Sequence, residues 1–110
     1  MKKVVYICSP YSGDVDKNIK NAYVYCRYAI KNNCVPIAPH LFFPQFLNDD
    51  ISEERELALS MNKEIIDRCD EVWVFGDTVS KGMAEEIEYA HVSDKSIYYI
   101  NSITEDTNET

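Results

Sequence analysis

Residues 3–14 read KVVYICSPYSGD, and they predict the first strand, loop and helix start of a repeating pattern. The run 3–8 is continuous and rich in β-formers, which is typical of a strand buried on both faces. The proline and glycine that follow predict a loop, and Asp14 or Asp16 is suited to cap a helix that extends to about Asn33. A buried strand that leads through a short loop into a helix is the first half of a βαβ unit.

The same alternation continues along the chain. CVPIA (34–38) predicts a second strand, and Pro36 favours a place for it at a sheet edge. An aromatic loop, 39–50, precedes a helix that starts at Asp50 or Ser52 and ends near Cys69. The remaining predicted elements are a buried strand at 71–75 (EVWVF), a loop at 76–82 (GDTVSKG), a helix from Met83 to Ser93, a strand at 96–100 (SIYYI) and a polar acidic tail at 101–110.

The order βαβαβαβ predicts an α/β fold. We expect one domain over residues 1–100, followed by the 101–110 tail. Right-handed crossovers would give a three-layer sandwich around a parallel sheet of four strands, or five, in a flavodoxin- or Rossmann-like order 2-1-3-4. This order reverses between strands 1 and 3, which opens a ligand-binding crevice at their carboxyl ends. The loops 9–13 and 76–82 are expected to border that crevice.

The composition excludes several classes of partner. A net charge of −8 argues against a nucleic acid polymer, although a single nucleotide can still be held by backbone amides and hydroxyls. The first apolar run is too short for a signal peptide or a membrane span. The four cysteines form no C-x-x-C pair, so we expect reduced core thiols in a cytoplasmic protein and no metal site.

The segment SKGMAEEIEYA (80–90) holds three glutamates at the start of the third helix. Advancing by about 100° per residue places Met83, Ile87 and Ala90 on one core stripe. Glu85 and Glu88 then lie on the far side, in solvent, whereas Glu86 lies at the edge of the stripe. The helix N-terminus is expected to favour its ionised form. The geometry leaves two interpretations open, a functional carboxylate or a rim carboxylate that bonds free amides at the helix start.

The other candidate residues are weaker. His40 is carried by a loop and lacks metal-ligand spacing, and Ser12 and Ser80 matter only if an anion lies between them. Phe42, Phe43 and Phe46 are more typical of a core, yet an aromatic loop at the carboxyl end of a strand can also sandwich a nucleobase. The dinucleotide, P-loop and α/β-hydrolase motifs are absent from the sequence.

The segment 80–90 resembles the catalytic segment G-x-x-x-E-x-G-x-A of the nucleoside 2-deoxyribosyltransferases and of their relatives, the deoxynucleoside 5'-monophosphate N-glycosidases. Gly82, Glu86 and Ala90 match it. VYICSPYSG is similar to the family's YLAGP opening, with Tyr6 and Pro10 in place, and CDEVWVF is similar to A-D-x-V-V-A. The resemblance extends from residue 3 to residue 100, and the chain looks most like small uncharacterised bacterial and phage members.

The resemblance implies an enzyme that needs no cofactor. Glu86 would be the nucleophile that attacks C1' of a deoxyribose, Ser80 would hold a 5'-phosphate, and the 9–13 loop would close over sugar and phosphate. The residues expected to bind the nucleoside or nucleotide are Tyr6, Ser9, Pro10, Tyr11, Ser12, Gly13, His40, Phe42, Asn62, Asp77, Ser80 and Gly82.

The sequence also departs from the family pattern. Glu88 replaces a glycine, Asn62 replaces an aspartate that assists at the sugar in the transferases, and the extension that completes a neighbouring subunit's site is missing. We therefore predict an N-glycosidase acting on a (deoxy)nucleoside 5'-monophosphate or a related nucleotide, in preference to a base-exchanging transferase. The alternatives are a non-catalytic protein that binds a nucleotide or nucleotide signal, and an interaction module with a degenerate pocket.

The family also implies a homodimer or higher homo-oligomer. We expect an apolar interface from four tyrosines, Tyr23, Tyr25 and Tyr28 on the first helix and Tyr89 on the third.

Overall fold

The computed structural model describes residues 1–101, so the predicted tail lies outside the described residues from position 102 onward. The strands are β1 (Val4–Cys8), β2 (Val35–Ile37), β3 (Glu71–Phe75) and β4 (Ser96–Ile100), and the helices are α1 (Val15–Lys31), α2 (Ser52–Arg68) and α3 (Lys81–Val92). The aromatic loop between β2 and α2 contains two short 3-10 turns, Pro39–Leu41 and Phe43–Gln45.

The four strands form one parallel sheet in the order β2-β1-β3-β4, which confirms the predicted topology. Residues 1–101 contribute four strands to the sheet and no fifth. Pro36 lies on β2 at the edge of the sheet, where its missing N–H interrupts no central ladder.

Side chains along the strands alternate between two helical layers. Val5, Ile7 and Phe75 pack on one face against Ala29 of α1. The opposite face is covered by α2 and α3, and its buried residues are Tyr6, Cys8, Ile66, Cys69, Val72, Val74, Met83 and Ala90. The molecule is therefore the three-layer α/β sandwich predicted from the element order.

Local capping explains where the helices begin and end. Asp14 caps α1 through a bond from the Lys17 amide, and the helix ends two residues before Asn33, which has a φ of 64°. Ser80 caps α3 by accepting from the Met83 amide, so this helix begins at Lys81, two residues earlier than predicted. This earlier start places the first amides of α3 next to the 76–80 loop.

Two of the tyrosines predicted for an interface are partly buried and pack against the core. The Tyr25 ring stacks on Phe75 with centroids 4.3 Å apart, and the Tyr28 ring packs edge-on against Trp73 at 5.9 Å. Both rings therefore cover this chain's own sheet, whereas Tyr23 on the same helix is 57% exposed.

Candidate active site

A cavity of about 430 Å³ lies at the carboxyl ends of the strands, at the crevice predicted from the strand order. Its wall is formed by the loop after β1, the aromatic loop, one side of α2 and the start of α3. Eight of the residues predicted for the site line it, namely Ser9, Tyr11, Ser12, His40, Asn62, Ser80, Gly82 and Glu86.

Glu86 is the best-held carboxylate in this wall. It is only 9% exposed, and its Oε2 accepts a hydrogen bond of 2.9 Å from the Asn62 amide on α2. Its Oε1 accepts from the Cys8 thiol at 3.6 Å, and the Tyr6 hydroxyl also hydrogen-bonds to the carboxylate. Donors from β1 and α2 therefore fix the carboxylate at the point where three elements meet.

These contacts correct two sequence-based expectations about Glu86. Burial raises its pKa, and the hydrogen bonds from Asn62, Tyr6 and Cys8 offset this only in part. The helix N-terminus does not dominate, because Glu86 is the sixth residue of α3 and the dipole acts mainly within the first turn. The interpretation of Glu86 as a rim carboxylate that bonds free amides does not match the structure either. The first-turn amide of Met83 donates to the Ser80 hydroxyl instead.

The donors around Glu86 remain protonated. Burial raises the pKa values of Tyr6 and Cys8, and the nearby Glu86 charge raises both further. Each side chain therefore keeps the proton that it offers to the carboxylate. The third donor, Asn62, has its Oδ1 buried without a hydrogen-bond partner among residues 1–101.

A second polar pair lies across the cavity wall. Ser9 Oγ and His40 Nε2 are hydrogen-bonded at 3.0 Å, and the Tyr11 ring packs edge-on to the imidazole at 6.5 Å. Burial lowers the pKa of His40 to about 4, so the ring is neutral near pH 7. Asn18 of α1 holds the loop in place by donating to the carbonyls of Tyr11 and Ser12.

The start of α3 forms one side of the cavity. Ser80, Lys81 and Gly82 line the cavity here, opposite Ser12 of the first loop. The first amides of a helix have no intrahelical partner and favour negative charge. A side chain built at Gly82 would meet nothing within 4 Å, so this glycine leaves open space beside the amides.

The cavity rim is richer in carboxylates than the sequence suggested. Glu85 was placed on the far, solvated face of α3, and it is indeed exposed, but it also lines the cavity. Asp49, Glu54 and Glu56 line the cavity as well, and the cationic residues there are Arg55 and Lys81. Contacts within the rim, such as the 2.6 Å bond from the Asn48 amide to Glu54, hold the aromatic loop on α2.

Five residues predicted to bind substrate do not line this cavity. Tyr6 lies beneath Glu86 and reaches the cavity only through it. Gly13, at a φ of 97°, lines an adjoining cavity of about 580 Å³. Pro10 lies close to Gly76, where an added Cβ would be 3.5 Å from its ring.

The other two residues point elsewhere. Phe42 is 57% exposed and packs on Phe43 and Phe46, because the 3-10 turns carry Phe43 rather than Phe42 to the cavity wall. Asp77 is exposed, and its charge acts on Tyr25 at the α1 side of the sheet.

Residues 1–101 contain no group of three or more His, Cys, Asp or Glu side chains that could hold a metal ion. Within the same range, no helix is long and apolar enough to cross a membrane.

Comparison with known proteins gives a family and a fold. A family model described as a domain of unknown function, DUF7768, matches residues 3–100. The 2-deoxyribosyltransferase of Bacillus psychrosaccharolyticus superposes with a TM-score of 0.72 and 14% identity, over 92% of this chain and 76% of that chain. The 2-deoxyribosyltransferase of Leishmania mexicana gives 0.63 and 18%, over 93% and 66%. No match was found among curated proteins. At these identities the solved structures show a shared fold.

Proposed function

The chain belongs to the DUF7768 family, and we propose that its domain, residues 1–100, is an N-glycosidase acting on a (deoxy)nucleoside 5'-monophosphate or a related nucleotide. Glu86 is the proposed nucleophile. The observation that carries this proposal is a carboxylate that lines a 430 Å³ cavity, is 9% exposed and is held by Asn62, Cys8 and Tyr6. A nucleophile fixed in this way loses little freedom on reaching its reactive geometry.

The proposed reaction has two steps. A Glu86 carboxylate oxygen attacks C1' of the sugar, the bond from C1' to the base nitrogen breaks, and a glycosyl ester forms on the enzyme. Water then attacks C1', the ester bond breaks, and free sugar and carboxylate result, with net retention at C1'. The protonated forms of Tyr6 and Cys8 stabilise the carboxylate whenever it is released.

The shape of the site supports a nucleotide-sized ligand. A volume of 430 Å³ lies within the range of about 300–1,000 Å³ that is usual for small-molecule pockets. Phe43, Leu47 and Leu59 give an apolar section of the wall for a base, and the start of α3 offers amides and the Ser80 hydroxyl to a phosphate. The two superposed enzymes are deoxyribosyltransferases by name, which favours glycosyl transfer from a nucleoside as the general reaction class.

We propose hydrolysis in preference to base exchange because of Asn62. By the sequence resemblance, the transferases carry an aspartate at this position. An amide donates to Glu86 at any pH, as the 2.9 Å contact indicates, but it cannot exchange protons with a leaving or an incoming base. Asn62 therefore supports the nucleophile without assisting a second base.

The alternative is a protein that binds a nucleotide or nucleotide signal without reaction. The raised pKa of Glu86, caused by burial, favours this alternative, because a protonated carboxyl group is not a nucleophile.

The two functions are distinguished by one product, the free base. Purified protein is incubated with deoxynucleosides, ribonucleosides and their 5'-monophosphates, and free base is measured by chromatography. Base release that exceeds the no-enzyme control supports the glycosidase, and saturable binding without release supports the binder.

Ser80→Ala is expected to reduce the preference for monophosphates over nucleosides by about 1–2 kcal/mol, the scale of a hydrogen bond to a charged group. Calorimetry with a matched pair, such as dAMP and deoxyadenosine, gives this preference as a difference of two binding free energies. Equal affinity of the wild-type protein for both ligands would remove the anion site from the proposal.

The control must allow for the second role of Ser80. Its hydroxyl also caps α3, so the variant is expected to lose about 1 kcal/mol of stability whether or not phosphate binds. Asp14→Ala removes the corresponding cap of α1 at a residue outside both cavities. It should lower the melting temperature while leaving the preference for phosphate unchanged.

We also propose a homodimer, or a higher homo-oligomer. Exposed aromatic side chains favour this, namely Tyr23 on α1 and Tyr98 and Tyr99 on β4. Light scattering at micromolar concentration is expected to give at least twice the mass of 12.7 kDa. A monomeric mass would reject the oligomer, and Tyr23→Lys tests whether α1 contributes to it.

A cytoplasmic location is part of the same proposal. All four cysteines, Cys8, Cys26, Cys34 and Cys69, are free thiols in the structure. Free thiols persist in reducing compartments, which favours the cytoplasm.

A further inference from the structure

The second step of the proposed reaction needs a base that Glu86 does not provide. While the sugar is esterified to Glu86, this carboxylate cannot take a proton from the attacking water. Its neighbours Tyr6 and Cys8 are donors whose pKa values are raised by burial. The water must therefore lose its proton to another group in the cavity wall.

Ser9 and His40 have the position for this role. They come from loops that follow the neighbouring strands β1 and β2, and both line the cavity. Ser9 is 7% exposed and follows Cys8, whose thiol contacts Glu86 Oε1. Its hydroxyl lies 3.0 Å from His40 Nε2.

The direction of the hydrogen bond depends on which imidazole nitrogen carries the proton. A ring whose pKa burial lowers to about 4 is neutral at pH 7, so one of its nitrogens is a free acceptor. With the ring proton on Nδ1, Nε2 accepts from the Ser9 hydroxyl. The Ser9 oxygen then keeps its lone pairs for a second donor, such as a water in the cavity.

We infer that Ser9 and His40 form a relay that takes a proton from the water that hydrolyses the glycosyl ester on Glu86. This inference rests on the proposed glycosidase function. The water oxygen bonds to C1' and the bond from C1' to the Glu86 oxygen breaks. The water proton passes to Ser9 Oγ, and the Ser9 proton passes to His40 Nε2. The products are free sugar, a Glu86 carboxylate and an imidazolium, which returns its proton to the departed base or to solvent.

Two of the rim carboxylates, Glu54 and Glu56, are less suited to this step. One oxygen of Glu54 already accepts from the Asn48 amide. Glu56 precedes Asn62 by six residues on α2, which corresponds to about 9 Å along the helix axis. Ser9, in contrast, follows directly after a residue that contacts the nucleophile.

The relay predicts that the two steps respond differently to mutation. In Ser9→Ala and in His40→Gln, the first turnover should still release one equivalent of base per active site in a burst. Steady-state release should fall by about a hundredfold, the lower end of what a positioned base contributes. The glycosyl-enzyme should then accumulate, and intact-protein mass spectrometry after rapid quenching detects it as the wild-type mass plus one sugar.

Matched controls are available on the helices. Ser60→Ala on α2 and His91→Gln on α3 change the same residue types at exposed positions outside both cavities, and wild-type kinetics are expected for both. Circular dichroism at 25 °C verifies that each variant is folded. If His40→Gln fails to fold, Ser9→Ala, which removes a single oxygen, still tests the relay.

The outcomes separate the relay from the proposed function. No base release by the wild-type protein would reject the glycosidase itself. Wild-type release with unchanged turnover in Ser9→Ala would overturn the relay alone. Loss of the burst and of steady-state release in equal measure would also overturn it, because the pair would then act before the ester forms.

Discussion

Glu86→Ala is expected to lower turnover by about a thousandfold or more, as removal of a nucleophile typically does. The affinity for substrate should stay largely intact, because the carboxylate acts on charge that develops at C1' in the transition state rather than on the bound ground state. The effect should therefore fall on kcat, with KM nearly unchanged. Initial rates of base release over a range of substrate concentrations, together with calorimetric Kd values, separate the two quantities.

The matched control for this prediction is Glu88→Gln. Glu88 lies on the same helix and is exposed, and it lines neither of the two cavities. Glu85→Gln is a poorer control, because Glu85 contributes to the cavity wall. Glu88→Gln should keep wild-type turnover and affinity.

Two results would contradict the assignment of Glu86. Base release that persists undiminished in Glu86→Ala would show that another group attacks C1'. A large loss of affinity with unchanged kcat would give Glu86 a binding role. Because the alanine leaves the donors of Asn62, Cys8 and Tyr6 without their acceptor, a melting curve must first show that the variant is folded.

The fold could be predicted because its signals are local. A continuous apolar run predicts β1, loop residues predict the turn after it, and the strand order follows from the handedness of the crossovers. Helical periodicity also separated Glu86 from Glu88, since it depends on only a few neighbouring residues. These patterns were sufficient to locate the cavity at the ends of β1 and β3.

The contacts inside the site could not be predicted in the same way, because they join distant parts of the chain. Cys8 is 78 residues from Glu86, and in the sequence it was assigned only to the core. The Ser9–His40 bond spans 31 residues and depends on the path of the aromatic loop, for which no periodic pattern exists. The same loop decides that Phe43, and not Phe42, lines the cavity.

The direction of the Glu86 pKa shift could not be predicted from the sequence either. Proximity to a helix N-terminus is visible in the sequence and predicts a lower pKa. Burial depends on how β1, α2 and α3 close over the side chain, and it raises the pKa instead. The burial that fixes the carboxylate in place also disfavours its charged form, and hydrogen bonds from Asn62, Tyr6 and Cys8 partly offset that effect.

His40→Gln is expected to make the protein more resistant to acid than the wild type. An ordinary histidine has a pKa of 6.5, and burial lowers that of His40 to about 4 in the folded protein. Below pH 6.5 the unfolded chain therefore binds a proton that the folded chain does not, so stability is lost as the pH falls from 6.5 towards 4. Since each pKa unit corresponds to about 1.4 kcal/mol, the total loss from this residue is about 3 kcal/mol.

The titration of Glu86 changes the stability with pH in the opposite direction, so its contribution has to be separated from that of His40. Because its pKa is raised in the folded state, the folded chain holds a proton at a pH where the unfolded chain has released it, and stability is lost as the pH rises through the folded value. This contribution is common to the wild type and to His40→Gln. The difference between the two proteins at each pH therefore isolates His40.

The measurement is urea unfolding at constant ionic strength between pH 7.5 and pH 5, which stays above the isoelectric point of about 4.6. Between these limits the wild type should lose about 2 kcal/mol relative to His40→Gln, most of it below pH 6.5. His91→Gln, at an exposed position on α3, should keep the acid sensitivity of the wild type. Parallel curves for wild type and His40→Gln would mean that the imidazole takes up its proton as readily in the folded chain as in the unfolded one. Such a result would contradict the interpretation of His40 as a buried imidazole whose pKa is lowered by loss of solvent.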